Sequence, residues 1–254
     1  MRYLILYFAF LNPITLLAQS EGTVEYSVTT EMKVDFETVM ANLPEGIPLD
    51  SVLIARMVQT FQNMPSQHFT VTLLLHYSGA QALTERGRPN LSNPFANISP
   101  FGSFDNSTGM TKFLDFEEQT SITRITNMGE SVPYVISGEL QELDWVLVDV
   151  DSTILGHAVK KAEFISDSLE VVAWYAPGIA STAGPDQFGY LPGLPLSIDA
   201  MISRDSSVKM SFVAKSLTEG LGEPITPPIG ISVTEEEYMK IMMEKLDEGV
   251  QFVP

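Results

Sequence analysis

Apolar and polar residues alternate with a period of two along most of the chain. In the first such segment Val24, Tyr26 and Val28 share one face, and polar residues occupy the other. A period of two with one polar face predicts a β-strand that has one side in water. The same pattern returns at residues 69–77 and again from residue 112 onward.

The later segments predict a series of strands joined by short turns. The strands are expected near residues 112–116, 119–126, 132–137, 142–149, 153–165, 168–176, 193–203 and 207–217. Turn residues mark the joints, including one turn expected at residues 149–152. Short connections between alternating strands predict an antiparallel meander. The regular alternation of strands with helices that would indicate a parallel sheet is absent from the sequence.

Two segments have the period of amphipathic helices. Apolar residues recur at helical spacing within residues 50–64, with Asp50 as the expected N-cap. Near the other end of the chain, Thr234 and Glu237 form a capping-box pattern at the start of a helix expected over residues 234–248. The predicted fold class is therefore mainly β (α+β): a single curved antiparallel sheet, or half-barrel, with two or three helices packed on its concave side.

The first residues have the pattern of a secretion signal. Arg2 leads an apolar stretch, and Ala18 is a small residue suited to the position before a cleavage site. We expect a signal peptide over residues 1–18 and one domain over residues 19–254. The alternative is a membrane anchor, but the apolar stretch is short and is broken at Asn12, so it would not comfortably span about 30 Å of hydrocarbon. No transmembrane helix is expected after cleavage.

Residues 84–110 predict a long flexible loop. The segment contains three prolines, three glycines and four asparagines, and loops of this length without regular structure are usually functional or disordered. It also contains Phe95, Phe101 and Phe104. Two interpretations stay open: a segment that docks on a groove of the protein itself, and a floppy surface insertion.

The charge and the cysteine count exclude several classes of function. The chain has 32 acidic and 14 basic residues and a net charge of −18. This charge opposes binding to nucleic acid, which needs clustered Lys and Arg. Because the chain has no cysteine, it can form no disulfide, no thiolate metal site and no cysteine nucleophile.

Patterns for catalysis and metal binding are sparse. His68 and His76 lie about 26 Å apart along one predicted strand, so they cannot share a metal ion, and His157 has no paired ligand in the sequence. Asp149 and Asp151 could hold a calcium ion or act as an acid–base pair, but Asp-x-Asp-Ser more often forms a turn. Motifs for a nucleophile elbow, a phosphate or a dinucleotide are absent. We expect no enzymatic activity, no cofactor and no metal.

The densest unusual pattern lies in residues 141–198. It comprises Trp145, Gly156-His157, Lys160-Lys161-Ala162, Ala173-Trp174-Tyr175-Ala176-Pro177, Gly184-Pro185 and Tyr190-Leu-Pro-Gly-Leu-Pro195. In this order the elements resemble the GLPGLI family, exported envelope proteins of Gram-negative bacteria, and the resemblance extends over nearly the whole mature chain. The chain departs from the family pattern at three places. The hexapeptide reads Tyr190-Leu-Pro-Gly-Leu-Pro195 in place of Gly-Leu-Pro-Gly-Leu-Ile. Asp186 stands where an aromatic residue is common, and Val159 stands where cysteine is common.

The resemblance implies a location and a shape. It implies export to the periplasm or cell envelope of a Gram-negative bacterium, and a fold similar to the curved antiparallel sheets of lipoprotein carriers, with helices on the concave side. The family has no established activity, so the resemblance implies no reaction, and an analogy of fold carries little weight for function.

The aromatic and proline residues of this pattern are the candidate site. The candidates for binding a ligand or partner are Trp174, Tyr175, Pro177, Phe188, Leu191, Pro192 and Gly193. The competing interpretation is a rigid loop that buries a corner of the sheet, because proline, glycine and aromatic residues are ordinary at such corners.

Three functions are compatible with these patterns. The first is an exported, non-enzymatic envelope protein that binds an apolar ligand or a protein partner through its curved sheet. The alternative is a structural or interaction module of an outer-membrane assembly. A hydrolase that uses carboxylates would need acids converging in a cleft with shifted pKa values, and no such set is evident in the sequence.

Overall fold

In the part of the chain that the structure describes, twelve strands form one open, curved sheet. The computed structural model describes residues 20–32, 67–86, 110–125, 132–203, 207–238 and 240–241. The strands are β1 (Glu21–Met32), β2 (Gln67–Ser78), β3 (Gln81–Arg86), β4 (Met110–Asp115), β5 (Thr120–Ile125), β6 (Tyr134–Glu139), β7 (Val146–Ile154), β8 (His157–Ile165), β9 (Leu169–Ala176), β10 (Leu194–Ser203), β11 (Ser207–Glu219) and β12 (Ile231–Val233).

The spatial order of the strands is β12-β6-β5-β4-β3-β2-β1-β11-β10-β9-β8-β7. Neighbouring strands are antiparallel except for β12, which pairs in parallel with β6. The prediction of a wholly antiparallel sheet is therefore wrong at this edge. A three-residue strand is too short to produce a period-two pattern, and it reaches β6 because Gly230 lies against the backbone of Pro133, whose carbonyl accepts a hydrogen bond from Ile231 N at 2.9 Å.

The main core cluster lies on one face of the sheet, here called the inner face. Val24, Tyr26 and Val28 of β1 point to this face and are fully buried. The strand register places Leu73 of β2 opposite Tyr26 on one side, and Phe212 of β11 opposite Val28 on the other. Alternate residues of neighbouring strands thus build one continuous apolar cluster, which confirms the period-two prediction for the first strand.

The prediction of two or three helices on the concave side of the sheet is not borne out. Within the described residues there is one helix, α1, described over residues 235–238 and 240–241. Its capping box is present: Glu237 N donates to Thr234 Oγ1 at 3.1 Å, and Thr234 N donates to Glu237 Oε2 at 2.8 Å. The helix expected over residues 50–64 and the remainder of the C-terminal helix lie outside the described residues.

The predicted bounds of the loop, residues 84–110, are too wide at both ends. Its first three residues belong to β3, its last belongs to β4, and the rest lies outside the described residues. Strand β3 was missed because Thr84 and Arg86, both polar, point to the inner face and hide the alternation. The turn before it is tight, with Gly79 at φ 59°.

The turn expected at residues 149–152 is also misplaced. Strand β7 runs through this segment, and Asp149 and Val150 form a bulge between the paired residues Val148 and Asp151. The chain reverses at Leu155 and Gly156 instead, with φ values of 51° and 81°. Two successive positive φ values are typical of the two-residue turn that matches strand twist. Leu155 occupies the first position of this turn, and because leucine is not a typical turn residue, the turn was not recognised in the sequence.

Candidate ligand-binding face

A long loop between β9 and β10 crosses the inner face of the sheet. This crossing loop, residues 177–193, reaches the turn between β2 and β3, where Ser181 Oγ donates to the carbonyl oxygen of Gly79 at 2.7 Å. On its other side Trp145 Nε1 donates to the carbonyl oxygen of Gly189 at 2.9 Å. The loop is thereby fixed to segments far from it in sequence, and it covers the central strands.

Close packing holds the crossing loop down. Phe188 stacks edge-to-face on Phe212 of β11, with ring centroids 5.7 Å apart. Phe116, which follows β4, meets Tyr190 in the same way at 5.1 Å. A Cβ atom on Gly189 would lie 2.2 Å from the Phe116 ring. Within the described residues, the crossing loop therefore covers the core on the inner face, the face on which helices were predicted.

The structure divides the predicted site residues into three groups. Tyr175, Phe188, Leu191 and Gly193 are buried, Pro177 and Pro192 are exposed, and Trp174 is half-buried.

Trp174 lies on the other face of the sheet from its buried neighbour Ala173, because successive strand residues alternate. Its register partners are Ser197 and Lys161. The seven residues therefore share no common surface. Their arrangement is that of a buried sheet corner, and a ligand site formed by them stays a prediction.

Three tyrosine hydroxyls lie in or beside this core. Tyr26 Oη donates to the carbonyl oxygen of Pro195, and burial raises the pKa of Tyr26. Burial, with a smaller effect of Glu219, raises the pKa of Tyr77 to about 12. Burial also raises the pKa of Tyr190. All three are neutral at physiological pH and are not prepared to act as bases.

Asp115 ends β4 beside the crossing loop. Its Oδ1 accepts hydrogen bonds from the backbone N–H groups of Glu117 at 3.1 Å and Glu118 at 3.0 Å, and its Oδ2 accepts one from Gln81 Nε2 at 2.8 Å. Burial acts to raise the pKa of Asp115, but these hydrogen bonds outweigh it and hold the pKa below its ordinary value. This carboxylate therefore stabilises the turn between β4 and β5.

Beyond the crossing loop the inner face continues as an apolar strip. The open strip, as we call it, consists of Met110, Ile125, Tyr134 and Ile136. The register aligns Met110, Ile125 and Tyr134 across β4, β5 and β6 in one row. All four side chains are half-buried, whereas the central strands are closed to solvent.

The open strip has a wall at each end. Tyr238 of α1 packs on Tyr134 with ring centroids 5.9 Å apart. At the opposite end Asp186 of the crossing loop lies 3.4 Å from Arg86 Nη2 and 3.9 Å from Lys112 Nζ. Arg86 and Lys112 belong to the same face as the open strip, because each pairs in register with an inner-face residue. The open strip therefore ends at a small charged cluster.

The β7 edge differs from the rest of the surface. Five of the nine large exposed apolar side chains among the described residues lie in β7, β8 and the turn between them, so this edge is the main exposed apolar surface there. In β7, Val146 is 63% exposed and Leu147 is 55% exposed. An unpaired edge strand with apolar side chains is a surface on which another chain can dock.

The two aspartates of the β7 bulge were interpreted as a turn, and this is wrong. Asp149 Oδ1 lies 3.5 Å from Lys160 Nζ and Asp151 Oδ1 lies 3.3 Å from it. Hydrogen bonding and the charge of Asp151, followed by Asp149, raise the pKa of Lys160. In the described part of the chain, no three potential ligand residues come together to hold a metal ion.

A groove of about 350 Å³ lies among residues near one end of β1, β9, β10 and β11. Glu31, Glu170 and Asp199 line it together with Lys209 and Met201. Lys209 pairs in register with Glu31 on the face opposite the core. Among the described helices, none combines the length and the apolar character needed to cross a membrane.

These features define a β-sheet scaffold whose inner face is packed in one half and open in the other. Residues 116–197 match a family model described as "Protein of unknown function (Porph_ging)". This match covers about a third of the chain. The finer resemblance to the GLPGLI family stays a prediction. No curated protein matches the sequence.

Solved structures with a similar chain path were also found. PNGF-II in space group C2 aligns with a TM-score of 0.49 and 13% identity over 88% of this chain and 33% of its own. PNGF-II in space group P21 aligns with a TM-score of 0.44 and 14% identity over 87% and 34%. A LolA superfamily protein from Nitrosomonas europaea aligns with a TM-score of 0.32 and 8% identity over 81% and 88%.

The chain thus spans about a third of the length of PNGF-II. All three TM-scores are below 0.5, and every identity is below 25%. Functional conclusions therefore depend on the geometry of the sheet and of its inner face.

Proposed function

We propose that this protein is a non-enzymatic binding protein that holds the apolar chain of an amphipathic ligand on the open strip. One observation carries the proposal: apolar side chains continue on the inner face beyond the packed core and stay partly exposed to solvent. Met110, Ile125 and Ile136 supply the aliphatic surface. Tyr134 adds an aromatic side chain that α1 holds in place through Tyr238.

The shape of the strip favours a single alkyl chain over a flat protein surface. The crossing loop limits the strip at one end and α1 limits it at the other. Burial of each methylene group contributes about 0.8 kcal/mol. A chain of about ten carbons would gain about 8 kcal/mol before the cost of association, which is at least about 4 kcal/mol. The expected affinity is therefore modest and suits reversible binding.

The non-enzymatic part of the proposal is supported by where the shifted titratable groups lie. Tyr26 and Tyr77 are in the core, Asp115 closes a turn, and Lys160 is exposed at the β7 edge. Catalytic acids and bases with shifted pKa values are expected to converge in a cleft. Among the described residues, Tyr26 and Tyr77 interact with each other inside the core, and Lys160 lies at the sheet edge.

We further propose that binding occurs outside the cytoplasm. The support is the sequence pattern of Arg2, the following apolar stretch and Ala18. Expression of the full chain with a C-terminal tag, followed by N-terminal analysis of the product, tests this. Cleavage after Ala18 and recovery from the periplasm or envelope are expected, and an uncleaved cytoplasmic product would contradict the proposal.

Binding of a fluorescent apolar probe tests the main proposal. The full chain is titrated with N-phenylnaphthylamine and the probe is displaced with dodecyl maltoside. Ile125→Glu and Ile136→Glu should each weaken probe binding at least about fivefold, because a carboxylate in the strip must be desolvated. Val213→Glu, on the opposite face, is the matched control and should bind normally. Equal binding by all variants, or no binding by the wild type, contradicts the proposal.

An interaction module is the second candidate, and the β7 edge favours it. Val146, Leu147 and Val150 are all exposed on an edge strand. The partner would add an extended segment along β7, and it would carry basic residues because Asp149 and Asp151 lie within this strand. A photo-cross-linker at Val146 in the full chain should then recover one defined protein, while a cross-linker at Val213 should not.

A further inference from the structure

We infer that Arg86 and Lys112 form a binding site for the anionic head group of the ligand, and that Asp186 occupies this site when no ligand is bound. The inference rests on the proposed function, since it assigns a head-group class to the amphiphile on the open strip. The head group is a carboxylate or a phosphate, which share the chemistry that two cations recognise.

The position of the two cations supports this assignment. Arg86 and Lys112 lie diagonally across β3 and β4, with Arg86 paired to Met110 and Lys112 paired to Thr84. Met110 belongs to the open strip, so one end of the alkyl chain would lie beside both cations. Their side chains are 22% and 26% exposed. This is enough access for a head group, in surroundings where an ion pair is stronger than in bulk water.

Asp186 has the geometry of an internal substitute for the anion. Its two carboxylate oxygens are directed to different cations, Oδ2 to Arg86 and Oδ1 to Lys112. The contacts are long, at 3.4 Å and 3.9 Å, and the carboxylate is 27% exposed. Partly exposed ion pairs of this kind contribute little stability, so displacing them costs little. Asp186 comes from the crossing loop, whose packing is independent of these contacts.

The net charge of the protein bears on the expected preference for anionic amphiphiles. At −18 the protein as a whole repels anions and attracts cations. A preference for anionic amphiphiles would therefore oppose the overall field and would need a local cationic site. Arg86 and Lys112 supply such a site at the end of the open strip.

Titration calorimetry of the full chain with four amphiphiles of equal chain length tests the inference. The amphiphiles are dodecanoate, dodecyl phosphate, dodecyl maltoside and dodecyltrimethylammonium, each below its micelle concentration at pH 8. We expect dodecanoate or dodecyl phosphate to bind most tightly, and the stronger of the two identifies the head group. Asp186→Asn should raise the affinity for that anion about three- to tenfold and leave dodecyl maltoside unchanged.

The two cations are removed in a protein that already carries Asp186→Asn, so that the carboxylate of Asp186 is not left without a partner. Asn tolerates the positive φ of Asp186, which is 52°, so Asp186→Asn should fold. Adding Arg86→Gln and Lys112→Gln to Asp186→Asn should reverse the gain and remove the anion preference. Lys161→Gln with Lys209→Gln removes the same charge from the opposite face and should change nothing.

Three outcomes separate the two proposals. If the anion preference appears and responds to Asp186→Asn, the inference is supported. If all four amphiphiles bind equally and Asp186→Asn has no effect, the head-group site is overturned while the open strip remains. If none of the four binds, the proposed function fails and the head-group site fails with it.

Discussion

Two halves of the same sheet contrast sharply. In the packed half, which comprises β1, β2 and β8 to β11, inner-face residues such as Tyr26 and Phe212 have no exposed surface. In the open half, which comprises β4, β5, β6 and β12, the open strip keeps part of its surface in solvent. Both halves have continuous strand pairing. The difference comes from the crossing loop, which covers the central strands and reaches β3 and β4 through Asp186.

The contrast shows that the alternation of apolar and polar residues along a strand and the burial of the apolar residues have different physical origins. Alternation is local and follows from the strand geometry. Burial requires a second layer, and here a loop supplies it over one half only. The open half therefore keeps the apolar surface available for a ligand.

Truncation of one apolar side chain on each side of the boundary gives the largest contrast in stability. Phe188→Ala removes a ring that packs on Phe212 beneath the crossing loop, and should destabilise the protein by about 3–5 kcal/mol. Ile125→Ala in the open strip should cost about 1 kcal/mol or less, because the side chain is already partly solvated. Urea unfolding followed by circular dichroism measures both. Equal costs would contradict the division into two halves.

A single added methyl group tests how tightly the crossing loop is held. Gly189→Ala places a Cβ atom 2.2 Å from the Phe116 ring, so the ring or the loop must shift, at a cost of about 1–3 kcal/mol. Gly178→Ala is the matched control in the same loop, because nothing lies within 4 Å of its added Cβ. It should change the free energy of unfolding by no more than about 0.5 kcal/mol.

Asp115, at the boundary between the halves, gives a prediction that depends on pH. Because its pKa is lowered in the folded state, its contribution is present above the ordinary value of 3.8 and is lost as the pH falls through the folded pKa. Asp115→Asn should therefore cost about 1–2 kcal/mol at pH 7 and progressively less below about pH 4. Urea unfolding of both proteins at pH 7, 5 and 3 measures this.

The control for this series is Asp149→Asn, which changes a fully solvated carboxylate in the β7 bulge. It should leave the free energy of unfolding unchanged at each pH. A constant effect of Asp115→Asn from pH 7 to pH 3 would show that the loss comes from packing alone.

The smallest effect is expected at the β7 edge. Leu147→Thr changes a side chain that is 55% exposed, so it should alter the free energy of unfolding by no more than about 0.5 kcal/mol. Thermal unfolding of the two proteins checks this. A loss above about 2 kcal/mol would mean that the packed core extends to the sheet edge.

Local patterns in the sequence predicted most of the strands because each has a regular apolar face. The alternation of Val24, Tyr26 and Val28 predicted the first strand and its buried side. The same reasoning missed β3, because its inner-face positions include Thr84 and Arg86. It also missed β12, whose three residues are too few for any period. These errors arise where pairing with distant strands determines the structure.

The functional surface was harder to predict than the strands. The aromatic and proline residues around Tyr175 and Leu191 were predicted as candidates for binding, with a sheet corner as the competing interpretation. The burial of Tyr175, Phe188 and Leu191 fits the sheet corner. The cluster of Arg86, Lys112 and Asp186 was missed, because residues 100 positions apart come together only through the crossing loop. The single signal was Asp186, an acidic residue at a position where the resemblance implies an aromatic one.

Photolabelling of the wild-type protein can locate the alkyl chain of a bound ligand on the sheet. A dodecanoic acid with a diazirine at the end of its alkyl chain is bound to the full chain and activated, and the labelled residues are located by mass spectrometry. The account predicts labels in β4, β5, β6 and β12, with competition by unlabelled dodecanoate. Labels confined to the β7 edge or to the groove around Asp199 would contradict the assignment of the open strip.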